Sequence, residues 1–197
     1  MANRNASLSS APARSPLFSL CVFCGSRSGD LSAFAAQARM VGRWIGRHGG
    51  QLVYGGSHSG LMGLVADATL EAGGRVVGVI PRALVELEHA HRGLHELHVV
   101  ETMHERKRIM AERCDAFLAL PGGIGTLEEF FEVWTWRQLK YHDKPIGLLN
   151  HAGYFDALLL FLNGSVTHGF MHPWQLELIE IGTQPESLLN ALLHSRI

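Results

Sequence analysis

The sequence predicts an α/β protein of the doubly wound class, with a mainly parallel sheet covered by helices on both faces. Three observations support this. Short apolar runs alternate along the chain with amphipathic segments of about 10–15 residues, which is the pattern of βαβ units. The apolar runs are continuous rather than interrupted by polar residues, as expected for strands buried on both faces. Glycine-rich segments follow several of these runs directly, where strand-to-helix connections belong.

About six to seven strands can be placed, which makes the expected sheet Rossmann-like. Each is a short apolar run that ends at glycine, proline or a polar residue. In chain order the predicted strands are Leu17–Phe23, Gln51–Tyr54, Arg75–Ile80, Leu97–Val100, Ala116–Leu120, Pro145–Leu149 and Leu176–Ile181.

The helices between these strands are predicted from apolar residues at helical spacing. The first has its apolar face between Phe34 and Ile45 and stops at Gly49 and Gly50, since glycine commonly follows the last helical residue. The second starts near Leu61 and stops at a second glycine pair. The remaining helices are expected from Met103 onward, over Leu127–Leu139, over Tyr154–Val166 and over Pro185–His194.

A length of 197 residues predicts one domain, since domains run about 100–200 residues. No linker-like stretch divides residues 17–197, so one Rossmann-like domain is expected to cover them. Residues 1–16 are rich in Ser, Ala, Arg, Asn and Pro and contain no acid. This composition weakly resembles a transit peptide. It favours a disordered tail, because so few apolar residues cannot offset the entropy lost on ordering.

Charge and hydropathy argue against nucleic acid and membranes as partners. The 17 basic side chains balance 18 acidic ones without a run of one sign, whereas a DNA-binding protein needs a basic face to neutralise phosphates. No apolar stretch reaches the roughly 20 residues that cross a bilayer. We therefore expect a cytoplasmic protein that acts on a small molecule.

Cysteine usage points to structural thiols. Cys21 and Cys24 have the C-x-x-C spacing of redox and metal pairs. They lie in the apolar run Leu17–Cys24, however, which is typical of a buried strand, and residues three apart in a strand point to opposite faces of the sheet. The second half of a four-cysteine zinc site is missing, and nothing demands an oxidising compartment.

Three glycine-rich connections are expected at one edge of the sheet: Gly25–Gly29, Gly55–Gly60 and Gly122–Gly125. In an open parallel sheet, ligands bind outside the carboxyl ends of the strands. Glycine lets the backbone approach a ligand closely, and the first amides of the following helix lack intrahelical acceptors. The segment Pro121–Thr126 therefore predicts a phosphate-binding loop, with Thr126 as a helix cap or a phosphate ligand.

Charged residues of both signs are expected beside this loop. Glu128 and Glu129 follow it in the first turn of a helix, and Glu129 lies at capping-box spacing from Thr126. At the same sheet edge, Arg106, Lys107 and Arg108 form a basic trio, although a cation at a helix N-terminus opposes the helix dipole. The trio is either a solvated face paired with nearby glutamates or a site for phosphate or carboxylate.

Together these segments resemble the LONELY GUY (LOG) family, the cytokinin-activating nucleoside 5′-monophosphate phosphoribohydrolases. Some members carry the older label "possible lysine decarboxylase". The resemblance runs from Phe18 to Leu189. The segments that carry it are Cys24-Gly25-Ser26, Tyr54-Gly55-Gly56 with Gly60-Leu61-Met62-Gly63, Gly78-Val79-Ile80-Pro81, Met103-His104-Glu105-Arg106-Lys107 and Pro121-Gly122-Gly123-Ile124-Gly125-Thr126-Leu127-Glu128-Glu129.

The resemblance implies a Rossmann-like homodimer with active sites near the dimer interface and no cofactor or metal. It implies cleavage of an N6-modified AMP into free base and ribose 5-phosphate, with Arg106 and Glu129 as the catalytic pair. The substrate-binding residues that it implies are Glu88, Lys107, Gly123, Ile124, Gly125, Thr126, Leu127, Glu128 and Thr135, and Gly25, Ser26, Gly55 and Gly56 in the first two loops are expected at the same site.

One position departs from the family pattern. The second loop has Ser57 and His58 after Gly56, where the family usually has a third glycine. Serine is small, so the loop is expected to keep its shape, while the role of His58 stays open.

The predicted chemistry suits these residues. Breaking a ribosyl C–N bond develops an oxocarbenium-like sugar and negative charge on the departing base. A carboxylate near the ribose stabilises such a cation, holds hydroxyls or activates water, as in glycoside hydrolysis. We expect Glu129 in that role and Arg106 as the group that stabilises phosphate or leaving-group charge.

Three other interpretations compete with this prediction. A pyridoxal-phosphate decarboxylase needs a lysine placed for a Schiff base, and the chain has only Lys107, Lys140 and Lys144. A non-catalytic nucleotide-binding or carrier protein is the stronger alternative, because a fold does not fix a function; retention of both Arg106 and Glu129 disfavours it. Twelve histidines raise the question of zinc, but none has acids at the spacing of a known zinc motif.

Overall fold

The computed structural model describes residues 15–87 and 89–194. Its seven strands are β1 (Ser19–Phe23), β2 (Gln51–Tyr54), β3 (Arg75–Pro81), β4 (Glu96–Val100), β5 (Ala116–Ala119), β6 (Ile146–Leu149) and β7 (Glu180–Gly182). They form one sheet in the order β4-β3-β2-β1-β5-β6-β7, and every neighbouring pair is parallel. The predicted fold class is thereby confirmed.

Seven α-helices connect and follow the strands within the described residues. They are α1 (Ser32–Arg47), α2 (Gly60–Glu71), α3 (Met103–Glu112), α4 (Ile124–Gln138), α5 (Asp156–Thr167), α6 (Pro173–Leu176) and α7 (Pro185–Leu193). Two 3-10 turns, Arg82–Leu84 and His151–Gly153, lie in the longer connections. None of the described helices combines the length and the apolar character needed to span a bilayer.

The core has one layer on each face of the sheet. Successive residues of β1 alternate between the two layers: Leu20 and Val22 pack on one side with α1, α2 and α7, and Cys21 and Phe23 pack on the other with α3, α4 and α5. This alternation is the two-residue period of a strand. Because both sides are buried, β1 reads as a continuous apolar run.

The chain order of the strands creates a crevice between β1 and β5. From β1 the chain builds outward through β2, β3 and β4, and it then returns to the other side of β1 to add β5, β6 and β7. The connections that leave β1 and β5 therefore turn to opposite faces of the sheet. This point of reversal is where doubly wound folds bind their ligands.

Two elements begin three or more residues away from their predicted positions. Helix α4 begins at Ile124, three residues earlier than predicted, because its N-cap is Gly123. The segment that begins at Leu176 is not a strand throughout: Leu176 ends the short α6, and β7 covers only Glu180–Gly182. Residues 1–14 of the predicted N-terminal tail lie outside the described residues, as does Glu88.

Candidate active site

A cavity of about 550 Å³ opens at the crevice between β1 and β5. Its walls come from the loop after β1 and from the loop after β5 with the start of α4. One side chain of α1, two each of α2 and α3, and the residues Leu84 and Tyr154 complete them. A volume of this size lies within the range of small-molecule sites. The predicted phosphate-binding loop and the first glycine loop therefore share one cavity.

The loops that follow β1 and β5, here called the first and fifth loops, are joined by a hydrogen bond between their backbones. The Gly25 amide donates to the Pro121 carbonyl at 3.1 Å. At Gly122, an added Cβ would lie 2.1 Å from Oγ1 of Thr126, so only glycine lets the loop turn this closely over α4. Gly123, Ile124 and Gly125 follow, and all three line the cavity at the amino end of α4. A helix terminus of this kind attracts anions through its amides and its dipole.

The predicted capping box between Thr126 and Glu129 is wrong. Because the N-cap is Gly123, Thr126 lies inside the first turn of α4, and Glu129 lies in the second turn. Both side chains are buried. Glu129 thus lies deeper in the cavity than a residue that caps the helix.

Arg106 and Glu129 meet in the cavity wall. The guanidinium Nη2 lies 3.7 Å from a carboxylate oxygen of Glu129, and the two side chains are only 6% and 11% exposed. The guanidinium also donates to the Gly55 carbonyl at 3.3 Å and contacts Sδ of Met103, a weak acceptor, at 3.8 Å. Its Nε has no hydrogen-bond partner within the described part of the chain. The pair is therefore close, and Arg106 keeps donor capacity for a ligand.

Gly55 makes room for this arginine. A Cβ at Gly55 would lie 2.1 Å from Nη2 of Arg106 and 3.0 Å from Sδ of Met62. Gly55 does not itself line the cavity among the described residues. Its role is to let the Arg106 side chain pass across the carboxyl end of β2.

The predicted basic trio separates into three environments. Arg106 faces the cavity, whereas Lys107, with a side chain only 8% exposed, binds Glu128 and also Glu132 at 3.0 Å. Burial lowers the pKa of Lys107, but its hydrogen bonds to the two glutamates outweigh burial and raise the pKa overall. Arg108 pairs with Glu112 one turn along α3, where both are exposed. For Arg108 the solvated-face alternative is therefore the correct one.

Not all the predicted substrate-binding residues line the cavity. Those that do, besides Arg106 and Glu129, are Gly25, Ser26, Gly123, Ile124, Gly125, Thr126 and Glu128. The described residues that do not are Lys107, Leu127, Thr135, Gly55 and Gly56. Leu127 packs against the core, and Thr135 lies exposed near the far end of α4. Glu88 lies outside the described residues.

Several lining residues were not predicted. Tyr154, just after β6, donates its hydroxyl to the Gly122 carbonyl at 2.7 Å, and its ring packs edge-on against Phe34 of α1. Arg27 and Asp30 belong to the first loop, and Leu84 comes from the 3-10 turn after β3. Arg27 lies within the predicted connection Gly25–Gly29. Leu84 and the Tyr154 ring were not predictable, because apolar residues outside strands carry no sequence signal that separates a cavity wall from a core.

His58 belongs to a polar cluster at the second loop. Among the described residues, one group has the composition of a metal site: His58, Asp67 and His91, with ligand atoms within 4.8 Å of one another. The Gly93 amide donates to Nδ1 of His91, so its Nε2 carries the proton and donates to Asp67 at 2.9 Å. A histidine that binds a metal ligates it through one ring nitrogen and donates a hydrogen bond through the other. Both ring nitrogens of His91 are instead occupied by hydrogen bonds. The cluster is thus a hydrogen-bonded network on which the His58 ring packs.

Cys21 and Cys24 are inert in this fold. All three thiols are buried and free. Burial, together with the negative charge of Glu129, raises the pKa of Cys24 far above its usual range, and burial raises the pKa of Cys21 in the same direction. Thiols of this kind stay protonated and are poor nucleophiles.

Comparison with known proteins identifies close relatives. A family model described as "Possible lysine decarboxylase" matches residues 62–192. A cytokinin riboside 5′-monophosphate phosphoribohydrolase of Rhodococcoides fascians is 50% identical over 165 residues, which cover 83% of each chain. A protein of the same name from Arabidopsis thaliana is 44% identical over 173 residues, which cover 88% of this chain and 80% of the relative.

Solved structures share the fold at lower identity. The molybdenum cofactor binding protein of Rippkaea orientalis superposes with a TM-score of 0.68 at 20% identity, over 92% of this chain and 98% of that one. At this identity the likeness concerns the fold alone.

Proposed function

Because the chain belongs to the LONELY GUY family of cytokinin riboside 5′-monophosphate phosphoribohydrolases, we propose that it hydrolyses the N-glycosidic bond of an N6-modified adenosine 5′-monophosphate. The products are the free base and ribose 5-phosphate. The observation that carries this proposal is the buried pair of Arg106 and Glu129, 3.7 Å apart, beside the amino end of α4. An anion site and a carboxylate in one cavity match the two ends of a ribose 5-phosphate group.

The phosphate is assigned to the amino end of α4. Gly123, Ile124 and Gly125 line the cavity there with little side-chain bulk apart from Ile124, and the first-turn amides supply donors for phosphate oxygens. The hydroxyl of Thr126 lies in the same turn. With the phosphate held there, the ribose extends toward Glu129, one turn further along the helix.

Cleavage is then a substitution at C1 of the ribose. The C1–N bond breaks with its electron pair on the base, a water oxygen bonds to C1, and a proton from that water ends on the base. Glu129 stabilises the positive charge that develops on the sugar and accepts the proton of the attacking water. The Arg106 guanidinium stabilises the negative charge on the departing base. A cavity that excludes bulk water strengthens both interactions.

The rest of the cavity suits an apolar group on the base. Its apolar side chains are Phe34, Leu61, Met62, Leu84 and Met103. Burial of apolar surface gives about 25 cal/mol per Å², so a substituent at N6 that reaches these side chains strengthens binding. We therefore expect isopentenyl-AMP to be preferred over AMP.

Lysine decarboxylation does not suit this site. None of the three lysines lines the cavity as the described residues form it. Lys107 is held by two glutamates and Lys144 donates to the Ala111 carbonyl at 2.5 Å. A pyridoxal-phosphate enzyme needs a lysine that faces its cofactor.

The homodimer and the cytoplasmic location stay predictions. Thr135 is exposed and lies outside the cavity of its own protomer. In a dimer whose active sites adjoin the interface, this threonine is free to reach the substrate of the second copy, which agrees with the role implied for it.

The test is release of free base from isopentenyl-AMP and from AMP, measured by chromatography on wild type and on Glu129→Gln. Glutamine keeps the shape of the side chain but loses its charge and basicity. We expect release by wild type and a loss of about 100-fold or more in the variant, as for removal of a general base. Near-normal turnover by folded Glu129→Gln rules out the role given to Glu129. Tight nucleotide binding by wild type without release of base points to a carrier protein instead.

A further inference from the structure

Tyr154 stands on a turn that fixes its direction. The turn after β6 contains Ala152 and Gly153 with φ of 54° and 71°. It is braced by Asn150, whose side chain accepts from the Phe155 amide and donates to Asp156, both at 2.7 Å. Ring contacts with Phe155 and Phe34 hold the phenol from two sides. The hydroxyl is thus presented to the fifth loop by a rigid support.

The carbonyls of the phosphate-binding loop are each held by a different donor. The Pro121 carbonyl accepts from Gly25 at 3.1 Å, and the Gly123 carbonyl accepts from Leu127 at 3.2 Å. Both of these donors are backbone amides. The carbonyl between them, that of Gly122, accepts from the Tyr154 hydroxyl at 2.7 Å. Of the three donors to these carbonyls, Tyr154 is therefore the one that acts through its side chain.

Holding a carbonyl also aims an amide. In a trans peptide the C=O and the N–H point in opposite directions, and the described residues contain no cis peptide bond. The Tyr154 hydroxyl therefore directs the amide of Gly123, the residue that begins the anion site. The peptide between Gly122 and Gly123 has glycine on both sides, so it rotates more easily than any other peptide of the loop.

From these contacts we propose that Tyr154 is a positioning residue for phosphate recognition: its hydroxyl locks the Gly122–Gly123 peptide with the Gly123 amide directed at the bound phosphate. This inference rests on the proposed function, since it deepens the account of the same cavity. It concerns the binding of the phosphate and not the cleavage of the C–N bond. Loss of the hydroxyl is therefore expected to weaken the binding of the substrate and of the transition state by the same factor.

The test is calorimetric titration of ribose 5-phosphate into wild type, Tyr154→Phe and Tyr141→Phe. Tyr141 is a matched control, because it is 76% exposed and lies outside the cavity. We expect Tyr154→Phe to bind about three- to tenfold more weakly, the effect of one net hydrogen bond, and Tyr141→Phe to bind as wild type does. In turnover of isopentenyl-AMP, KM should rise by the same factor while kcat stays within about twofold.

A general loosening of the fold gives a different result. It lowers the melting temperature of Tyr154→Phe markedly, and it weakens the binding of adenosine, which has no phosphate, as much as the binding of ribose 5-phosphate. That pattern overturns the proposal. Equal affinity of wild type and Tyr154→Phe for ribose 5-phosphate overturns it as well, and leaves the proposed function standing. If wild type binds no ribose 5-phosphate and releases no base, the proposed function fails and this inference fails with it.

Discussion

At the scale of single residues, the position of Arg106 depends on the absence of a side chain at Gly55. The guanidinium passes where the Cβ of any other residue at position 55 would lie. The same guanidinium donates to the Gly55 carbonyl, so the glycine supplies both the space and an acceptor. This explains why a glycine that does not line the cavity belongs to the motif Tyr54-Gly55-Gly56.

Gly55→Ala tests this role. The added methyl group would lie 2.1 Å from Nη2 of Arg106, so the arginine has to move. Since a displacement of about 1 Å at a catalytic group costs about 100-fold in rate, we expect base release to fall by about that factor in a protein that still folds. The measurements are kcat for isopentenyl-AMP and the melting temperature.

Gly164→Ala is the control for that substitution. Gly164 lies in α5, and an added Cβ there meets no atom within 4 Å. This variant should keep wild-type turnover and melt at the same temperature or slightly higher, because alanine favours helices. Wild-type kcat in Gly55→Ala would show that Arg106 does not need its observed position.

Residue types were easier to predict than residue partners. The sequence was sufficient to place Arg106 and Glu129 at one sheet edge, because both follow strands directly in chain order. It did not reveal that Lys107, the next residue along, turns to Glu128 and Glu132 on α4. Neighbours in a helix differ by about 100° in direction, and only the packed structure says which of them faces the ligand.

At the scale of elements, ion pairs around Glu96 link strands β3 and β4. Glu96 of β4 binds Arg75 at 2.5 Å, Arg113 at 2.8 Å and His98 at 2.9 Å. The hydrogen bond from Arg75, followed by that from His98, lowers the pKa of Glu96 from 4.5 to about 2. The cluster lies near the amino ends of these strands, away from the cavity at their carboxyl ends.

This pKa predicts how stability depends on pH. Because the folded-state pKa of Glu96 is depressed, its ion pairs stabilise the fold fully above about pH 4.5 and cease to do so as pH falls toward 2. At pH 7 we expect Glu96→Gln to melt lower than wild type by about 2–4 °C. The difference should shrink as pH falls from 5 to 2.5, measured by thermal unfolding.

The exposed Glu177, which follows α6, provides the control for that prediction. Glu177→Gln should melt within about 1 °C of wild type at both ends of the pH range, as exposed substitutions usually do. A melting difference for Glu96→Gln that does not change between pH 7 and pH 2.5 would contradict the role given to its charge.

Element boundaries failed where a cap was assigned from residue type alone. Thr126 is a favoured N-cap residue, yet the helix begins three residues earlier, with Gly123 as its N-cap and without a side-chain cap. The four-residue α6 gave no periodic signal, since one turn is shorter than the window in which helical spacing becomes visible. The long, continuous apolar strands were placed within one or two residues.

At the scale of the whole molecule, the order of the strands in the sheet assembles the cavity from distant parts of the chain. By reversing at β1, the chain brings residues about 100 positions apart, in the loops after β1 and β5, into one cavity. Alternating strands and helices predicted this class of fold and the edge of the sheet at which the cavity lies. They did not predict Phe34 and Tyr154, because those contacts depend on how α1 and the turn after β6 pack across the crevice.

The most direct test of the central claim compares isopentenyl-AMP with its nucleoside, isopentenyladenosine, which lacks only the phosphate. The cavity joins the amino end of α4, the proposed phosphate site, to the pair of Arg106 and Glu129, so the proposal requires both ends of ribose 5-phosphate for turnover. We predict equimolar free base and ribose 5-phosphate from the nucleotide, with kcat/KM at least about 100-fold above that for the nucleoside. Equal rates on the two compounds, or no cleavage of the nucleotide, would contradict the account.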